Sequence, residues 1–184
     1  MGTTKVDVVD LLTEQHSHIR ELFTELGLAS NPTARQEKFE ELRRFLAVHE
    51  TAEALISHPV ARLSDSNDIV DARLEEEDSA KKLLAGLDGM DVGAGDWRDR
   101  VEELQTAVLA HAAAEEAEEF PLLRAQTDPK TRERMARAIT AVEAIAPTHP
   151  HPSAGSSMTM NLMTGPLASV IDRTRDAVTK ALRD

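Results

Sequence analysis

The sequence contains no cysteine and no tyrosine, and it has one tryptophan and four phenylalanines among its 184 residues. Without cysteine, the chain has no disulfide, no thiolate nucleophile, no zinc finger and no thiolate-held iron–sulfur cluster. Without tyrosine, it has no phenolate ligand and no tyrosyl radical. No stretch approaches about eighteen consecutive apolar residues, and the first ten residues are acidic with no apolar core. We therefore expect neither a membrane span nor a secretory signal, and a cytoplasmic location.

Positive charge is also scarce. The 21 Lys and Arg residues against 33 Asp and Glu residues give a formal net charge of −12. Because such a chain repels phosphate and shows no basic stripe, we do not expect nucleic acid as a partner. The apolar fraction of 41% with 29% charged residues is typical of a folded domain rather than of disorder. We expect one bundle domain with its own core, as a monomer or weak dimer.

Apolar residues recur every three or four positions and strand-like alternation is missing, which predicts an all-α protein. The predicted helices cover about residues 6–28, 33–57, 68–87, 96–124, 128–146 and 166–182. The second should stop before Pro59, Asp96 should cap the fourth, and residues 147–157 have linker composition. Short connections between the four long helices predict an antiparallel up-down-up-down four-helix bundle over residues 1–125. Residues 126–184 are predicted to form a C-terminal helical extension packed on it.

An internal repeat marks polar residues on the apolar stripes of the helices. The second helix contains His49-x-x-x-Glu53 followed by Pro59, and the fourth contains His111-x-x-x-Glu115 followed by Pro121, with identical spacing. Counting back 33 residues from His49 reaches His16, and counting back 34 from His111 reaches Glu77. The predicted inward stripe of the fourth helix continues to Leu122. Each half of the chain thus contributes one polar core residue from its leading helix and a His/Glu pair from its trailing helix.

This pattern predicts a metal site. A spacing of four residues places imidazole and carboxylate on one helix face, so four helices would bring three histidines and three glutamates together. Buried carboxylates repel one another unless they are protonated or neutralised by cations. Mixed nitrogen and oxygen ligands without sulfur suit iron or manganese and also accept zinc, and six ligands suit two metals better than one. A helical scaffold without metal remains the alternative, whereas a ferritin-like oxidase is disfavoured because it uses Glu-x-x-His pairs.

The remaining histidines are weaker candidates. His18 lies on another side of its helix from His16, so it should face solvent or a neighbour. His58 precedes Pro59 and is predicted to cap the helix end. His149 and His151 form a His-Pro-His segment, which is typical of a rigid spacer; a second metal site is the alternative.

The neighbouring acidic residues are predicted to be solvated. On the fourth helix this applies to Glu116, Glu118 and Glu119, since Glu115 alone lies on the stripe. On the third helix it applies to Glu75, Glu76 and Asp78, with Glu76 as the substitute ligand if the register of that helix is shifted.

The chain resembles the hemerythrin-like proteins with HHE cation-binding domains over about residues 6–124. The motifs that carry the resemblance are Glu14-Gln15-His16, His49-Glu50-Thr51-Ala52-Glu53, His111-Ala112-Ala113-Ala114-Glu115-Glu116 and Glu119-Phe120-Pro121-Leu122-Leu123. The tail after residue 147 looks like the extension of actinobacterial members. The resemblance implies a four-helix bundle around two iron ions in a non-haem centre, with or without an oxo or hydroxo bridge. It implies bridging roles for Glu53 and Glu115 and terminal roles for His16, His49 and His111.

One departure from the family bears on function. Oxygen-carrying members have His-x-x-x-His on the third helix, where this chain has Glu77 and Lys81. A carboxylate in place of imidazole makes the site harder and more anionic, which favours ferric iron over reversible oxygen carriage. We expect redox chemistry on hydrogen peroxide or nitric oxide, in a role connected with oxidative stress, with enzymatic turnover undecided. The alternative is a binding or sensing protein that responds to iron or oxygen without turnover.

Overall fold

The computed structural model describes residues 6–63 and 67–143, which are almost entirely helical and contain no strand. The helices are α1 Val8–Leu28, α2 Pro32–Ala61, α3 Asn67–Leu87, α4 Trp97–Ala114, a π-helical turn Glu115–Glu119, α5 Phe120–Gln126 and α6 Pro129–Glu143. The prediction of an all-α bundle is confirmed. The predicted linker at 147–157 and the helix at 166–182 lie outside the described residues. None of the described helices has the length and apolarity that crossing a membrane requires.

Three helices begin where a short polar side chain accepts a backbone hydrogen bond. Asp7 accepts from the amide of Val9, Asn31 from that of Ala34 and Asp128 from that of Thr131. Asp96 precedes α4 as predicted, but its side chain makes no capping bond and accepts from Nε of Arg100 instead. The start of α4 was therefore predicted correctly and its capping bond was not.

Helix α2 does not stop before Pro59 but continues to Ala61, so the predicted end at Ser57 is wrong. A proline removes one backbone donor, which costs least near the end of a helix. Burial of Val60 at 3% exposure and Ala61 at 0% compensates for that loss. As a consequence, His58 stays within the helix and points into the bundle.

Two hydrophobic clusters fill the bundle, one on each side of a polar layer. The first contains Leu12 of α1, Ile56 of α2 and Val70 of α3. The second contains Ile19, Leu46 and Leu84 of the same three helices. Between the two clusters, each of the four long helices directs polar side chains into the interior of the bundle. We call this layer the polar belt, made of His16, His49, Glu53, His58, Glu77, His111, Glu115 and Glu119, each at most 8% exposed.

Helix α6 packs against α1 and α2 outside the four long helices. Its buried residues Met135 and Ile139 are both 0% exposed and belong to the first hydrophobic cluster. Nε of Arg132 lies 2.6 Å from Asp7, the residue that caps α1. In the described part of the extension, residues 129–143 thus share a core with the bundle.

Candidate metal centre

All six residues of the repeat meet in the polar belt. One ligand atom each from His16, His49, Glu53 and Glu115 lies within 4.8 Å of the others. Glu53, Glu77 and His111 form a second group by the same measure. The structure thus brings the six side chains into two adjoining groups that share Glu53.

The two glutamates of the His-x-x-x-Glu motifs occupy the middle of the belt. Nε2 of His16 lies 3.2 Å from Oε2 of Glu115 and 3.9 Å from Oε1 of Glu53. Nε2 of His49 lies 3.4 Å from Oε2 of Glu53, and Nε2 of His111 lies 3.5 Å from Oε2 of Glu115. Each of these carboxylates therefore faces two imidazoles from different helices.

Each of the three imidazoles is held through its outer nitrogen, Nδ1. The three contacts are His16 with Oε1 of Glu116 at 2.9 Å, His49 with Oε1 of Gln15 at 2.7 Å and His111 with Oε2 of Glu76 at 3.0 Å. An acceptor at Nδ1 fixes the proton there and leaves Nε2 as a free electron pair directed inward. Glu116 and Glu76 are partly exposed, as predicted, but they also orient the site.

Several inward-facing atoms have no hydrogen-bond partner. They are Nε2 of His16 and His111, both carboxylate oxygens of Glu53, and one oxygen, Oε2, of Glu115 and of Glu119. Buried polar atoms without partners are costly and uncommon in folded proteins. A cation in the belt would satisfy all of them, and oxygen and nitrogen donors without sulfur suit iron, manganese or zinc. The residues present therefore fit a metal centre.

Burial and neighbouring charged groups together shift the pKa values of the side chains in the belt. It lowers the pKa of His49 to about 3, so this imidazole is neutral and able to donate its electron pair. Burial, followed by the charge of Glu115, raises the pKa of Glu53 well above its ordinary value. In Glu115 burial acts in the same direction, but the neighbouring His16 and His111 outweigh it and lower the pKa. A cation would take the place of the proton that Glu53 otherwise holds.

The sequence prediction missed two members of the belt, His58 and Glu119. His58 is 3% exposed, with Nε2 at 2.5 Å from Oε1 of Glu77 and Nδ1 at 2.9 Å from Oε1 of Glu119. The predicted capping role of His58 is wrong because α2 continues past Pro59. Burial alone would lower the pKa of His58, but its hydrogen bonds to Glu119 and Glu77 raise it well above the ordinary value. Likewise, His58 outweighs the effect of burial on Glu77 and holds the pKa of that carboxyl at about 2.

Glu119 is buried, contrary to prediction, and it lies in the π-helical turn. It is 0% exposed in the belt, in line with Glu115. A π turn contains one residue more than an α turn. The same extra residue shifts the inward stripe beyond it, so that Leu123 is fully buried rather than the predicted Leu122, which is only partly buried.

The remaining candidates lie outside the belt. His18 has a half-exposed side chain and packs edge-on against Phe45, in agreement with its predicted position. Glu75, Asp78 and Glu118 are exposed as predicted. His149 and His151 lie outside the described residues.

A sequence signal for His58 exists in the repeat itself. His58 stands directly before Pro59, and Phe120 holds the same place before Pro121. Aligning the two halves on their prolines as well as on their histidines would have put His58 on the inward face with Phe120. Glu119 also carries a sequence signal, because it stands four residues after Glu115, the spacing that places two side chains on one helix face.

The family model of the hemerythrin HHE cation binding domain matches residues 7–123 of the sequence. The chain belongs to this family. The match spans the four long helices, and one solved structure shares the fold. The crystal structure of a hemerythrin HHE cation binding domain-containing protein from Mycobacterium kansasii superposes with a TM-score of 0.67 at 17% identity. That superposition covers 92% of this chain and 99% of the other.

Two further relatives are similar in sequence to this hemerythrin-like chain. An uncharacterized hemerythrin-like protein of Schizosaccharomyces pombe is 23% identical over 138 residues, covering 73% of this chain and 68% of that protein. A protein of Nostoc sp. named DNA nickase is 26% identical over 144 residues, covering 77% of this chain. The match spans 41% of the Nostoc protein, less than half of its length.

Proposed function

We propose that this hemerythrin-like protein binds two iron ions in the polar belt. The observation that carries the proposal is the set of buried, unpartnered donor atoms on His16, Glu53, His111 and Glu115. His16 and His49 would hold one ion and Glu77 and His111 the other. Glu53 and Glu115, which each face two imidazoles, would serve both. Iron is the metal that the family resemblance implies, and the donor set suits it.

We further propose that the centre reacts with a small oxidant, hydrogen peroxide or nitric oxide. Bound iron would pass electrons to the oxidant, and turnover would require that a second peroxide molecule or an external electron donor reduce the iron again. The chain contributes three imidazole donors, each held at Nδ1 by Glu116, Gln15 or Glu76. The hydrophobic clusters on both sides of the belt keep bulk water from the donors. Glu77 in place of an imidazole adds negative charge, which favours the ferric state over reversible oxygen carriage.

A sensing role is the second candidate, because the site is connected to α6. Oε1 of Gln15 accepts from His49, and Nε2 of the same amide donates to Oε1 of Glu143 at the end of α6. A change at His49 therefore reaches α6 through one side chain. In this alternative the metal state alters the packing of α6 without any turnover.

DNA cleavage is not part of the proposed function. The name of the Nostoc relative refers to a protein of which the match spans 41%. The net charge of −12 opposes contact with a phosphate backbone.

The test is metal content and reactivity of the purified, iron-loaded protein beside two variants. Glu53→Ala removes a central carboxylate, whereas Glu37→Ala removes an exposed glutamate from the same helix. We expect about two irons per chain in the wild type and the control and fewer in Glu53→Ala. Peroxide or nitric oxide consumption should exceed that of free iron and follow the iron content. Bound iron without turnover would favour the sensing role, and a folded wild type that binds no metal would overturn the proposal.

A further inference from the structure

The two halves of the bundle differ at one pair of equivalent contacts. His16 and Glu77 occupy matching places in the repeat, as do Phe120 and His58 before their prolines. The ring of Phe120 stacks on His16, with centroids 5.5 Å apart and planes inclined by 14°. At the equivalent place, the ring of His58 contacts Glu77. Each contact joins the two halves of the repeat: one pairs an imidazole with a phenyl ring, and the other pairs a carboxylate with an imidazole.

This exchange leaves the two candidate metal positions with unequal donors. The first position has two imidazoles, from His16 and His49, whereas the second group contains only that of His111. His58 is the one further histidine in the polar belt of the described residues, and it lies beside the second group. The imidazole that α3 lacks at position 77 is therefore present nearby, on α2.

We propose that His58 is a ligand of the second metal ion and that Glu119 provides a further carboxylate there, so that both positions have two imidazoles. This inference rests on the proposed metal binding. It differs from the sequence prediction, which uses six ligands and assigns His58 to a helix cap. Because Glu119 lies in the π turn, the assignment also gives that turn a function.

The distances in the belt suit this assignment. Ligand atoms of His58, Glu115 and Glu119 lie within 4.8 Å of one another, and Glu115 also belongs to the first group. Metal–ligand bonds of about 2.1 Å place neighbouring donors roughly 3 Å apart. An imidazole binds an ion through one nitrogen, and Nδ1 of His58 is the one that lies near Glu119, at 2.9 Å. An ion at Nδ1 can replace this contact after small adjustments, while Nε2 keeps its proton and its 2.5 Å contact with Glu77.

Glu119 provides an independent observation. Its residue is 0% exposed, and its Oε2 has no hydrogen-bond partner, although Oε1 contacts His58. A glutamate present only to hold His58 in place would leave the second oxygen buried at a cost. An ion beside His58 gives that oxygen a partner.

The decisive variant is His58→Phe, which copies the residue at the equivalent position, Phe120. We expect it to bind one Fe²⁺ or Co²⁺ per chain where the wild type binds two, or to bind the second at least about 10-fold more weakly. His18→Phe is the matched control, because it removes a half-exposed histidine outside the belt and should keep both ions. Metal content and titration of the metal-free protein give these values without an activity assay.

A double variant tests directly whether His58 supplies the imidazole that α3 lacks at position 77. His58→Phe with Glu77→His reproduces the His16/Phe120 pair at the equivalent contact, between positions 77 and 58. We expect this variant to recover two ions per chain, because the imidazole lost from α2 returns on α3. Recovery also shows that a phenyl ring fits at position 58, so a failure of the single variant to fold would not decide the question.

NMR of the Co²⁺-loaded wild type counts the ligating imidazoles without any substitution. Each one contributes a strongly shifted, exchangeable ring N–H signal. We expect four signals in the wild type and in the double variant. In His58→Phe we expect two signals when one ion is bound, and three when excess Co²⁺ fills the weakened second position. Three signals in the wild type, or two tightly bound ions in folded His58→Phe, would overturn the inference and leave the proposed function standing. A wild type that binds no metal would overturn both.

Discussion

Nζ of Lys81 lies 2.7 Å from Oε2 of Glu77, four residues earlier on α3. The same nitrogen lies 3.5 Å from Oε2 of Glu50 on α2. Burial opposes the charge, but Glu50 and Glu77 outweigh it and raise the pKa of Lys81, so the ammonium group stays protonated. A fixed positive charge therefore lies beside the polar belt, in contact with Glu77.

We expect Lys81→Met to destabilise the metal-free protein by about 1 kcal/mol, since a charged hydrogen bond is lost at a site about one third exposed. The metal-loaded protein should change less, because a metal ion then neutralises Glu77. Removing the competing ammonium group should also tighten metal binding. Thermal unfolding with and without metal measures both effects. Lys82→Met, next to it and 71% exposed, is the control, and equal losses in the two variants would contradict the prediction.

The metal-free protein should lose stability as the pH rises from 6.5 to 8. Burial raises the pKa of Glu50 to about 8 and that of Glu53 well above its ordinary value. The carboxylates around His58 raise its pKa above 6.5 against the effect of burial. In this interval the folded state holds protons that the unfolded chain has released, so the free energy of unfolding falls as pH rises. His49, with its pKa near 3, acts in the opposite direction, but only below 6.5.

Thermal unfolding at pH 6.5 and pH 8 tests this expectation. Glu50→Gln should reduce the pH slope of the metal-free protein, because the amide has no proton to lose. Bound metal should flatten the slope further, since the cation takes the place of the protons. A metal-free protein with the same melting temperature at both pH values would show that the belt does not hold these protons.

The fold and most of the site could be predicted because they depend on local periodicity. A four-residue spacing places His49 with Glu53, and His111 with Glu115, on one helix face whatever surrounds them. The apolar residues on either side place that face in the core. The repeat adds the leading helices, which is why His16 and Glu77 were predicted to lie in the interior, where the structure has them.

The errors arise where the helices depart from regular α geometry. Pro59 was expected to end α2 because a proline removes a backbone donor. The burial of Val60 and Ala61, which offsets that cost, depends on tertiary packing and cannot be seen in the local sequence. The π turn before Pro121 changes the register by one residue, which the pattern of apolar residues does not reveal in advance. Both departures occur next to the belt. The first accounts for the missed His58, whereas Glu119 could have been predicted from its spacing of four residues from Glu115.

We expect Gln15→Leu to weaken metal binding about 10- to 100-fold, although Gln15 is not a proposed ligand. Its Oε1 accepts from Nδ1 of His49, which fixes the ring orientation and the tautomer, and partners of this kind have effects of that size. The isosteric Gln15→Glu should restore binding in part, because a carboxylate also accepts from Nδ1 but cannot donate to Glu143 as the amide does. Competition with a chelator measures the affinity. Gln36→Leu, on the exposed face of α2, should have no effect, and unchanged binding in Gln15→Leu would contradict the prediction.

The last prediction concerns whether α6 unfolds with the bundle. Ile139 is 0% exposed and lies in the hydrophobic cluster that includes Leu12 and Ile56, so Ile139→Ala should cost about 2–5 kcal/mol. Because the cluster is shared, one cooperative urea transition should shift as a whole, with circular dichroism and tryptophan fluorescence coinciding. Arg137→Ala on the exposed side of α6 should shift it by less than about 0.5 kcal/mol. A separate early transition, seen by circular dichroism but not by Trp97 fluorescence, would show that α6 folds independently of the metal site.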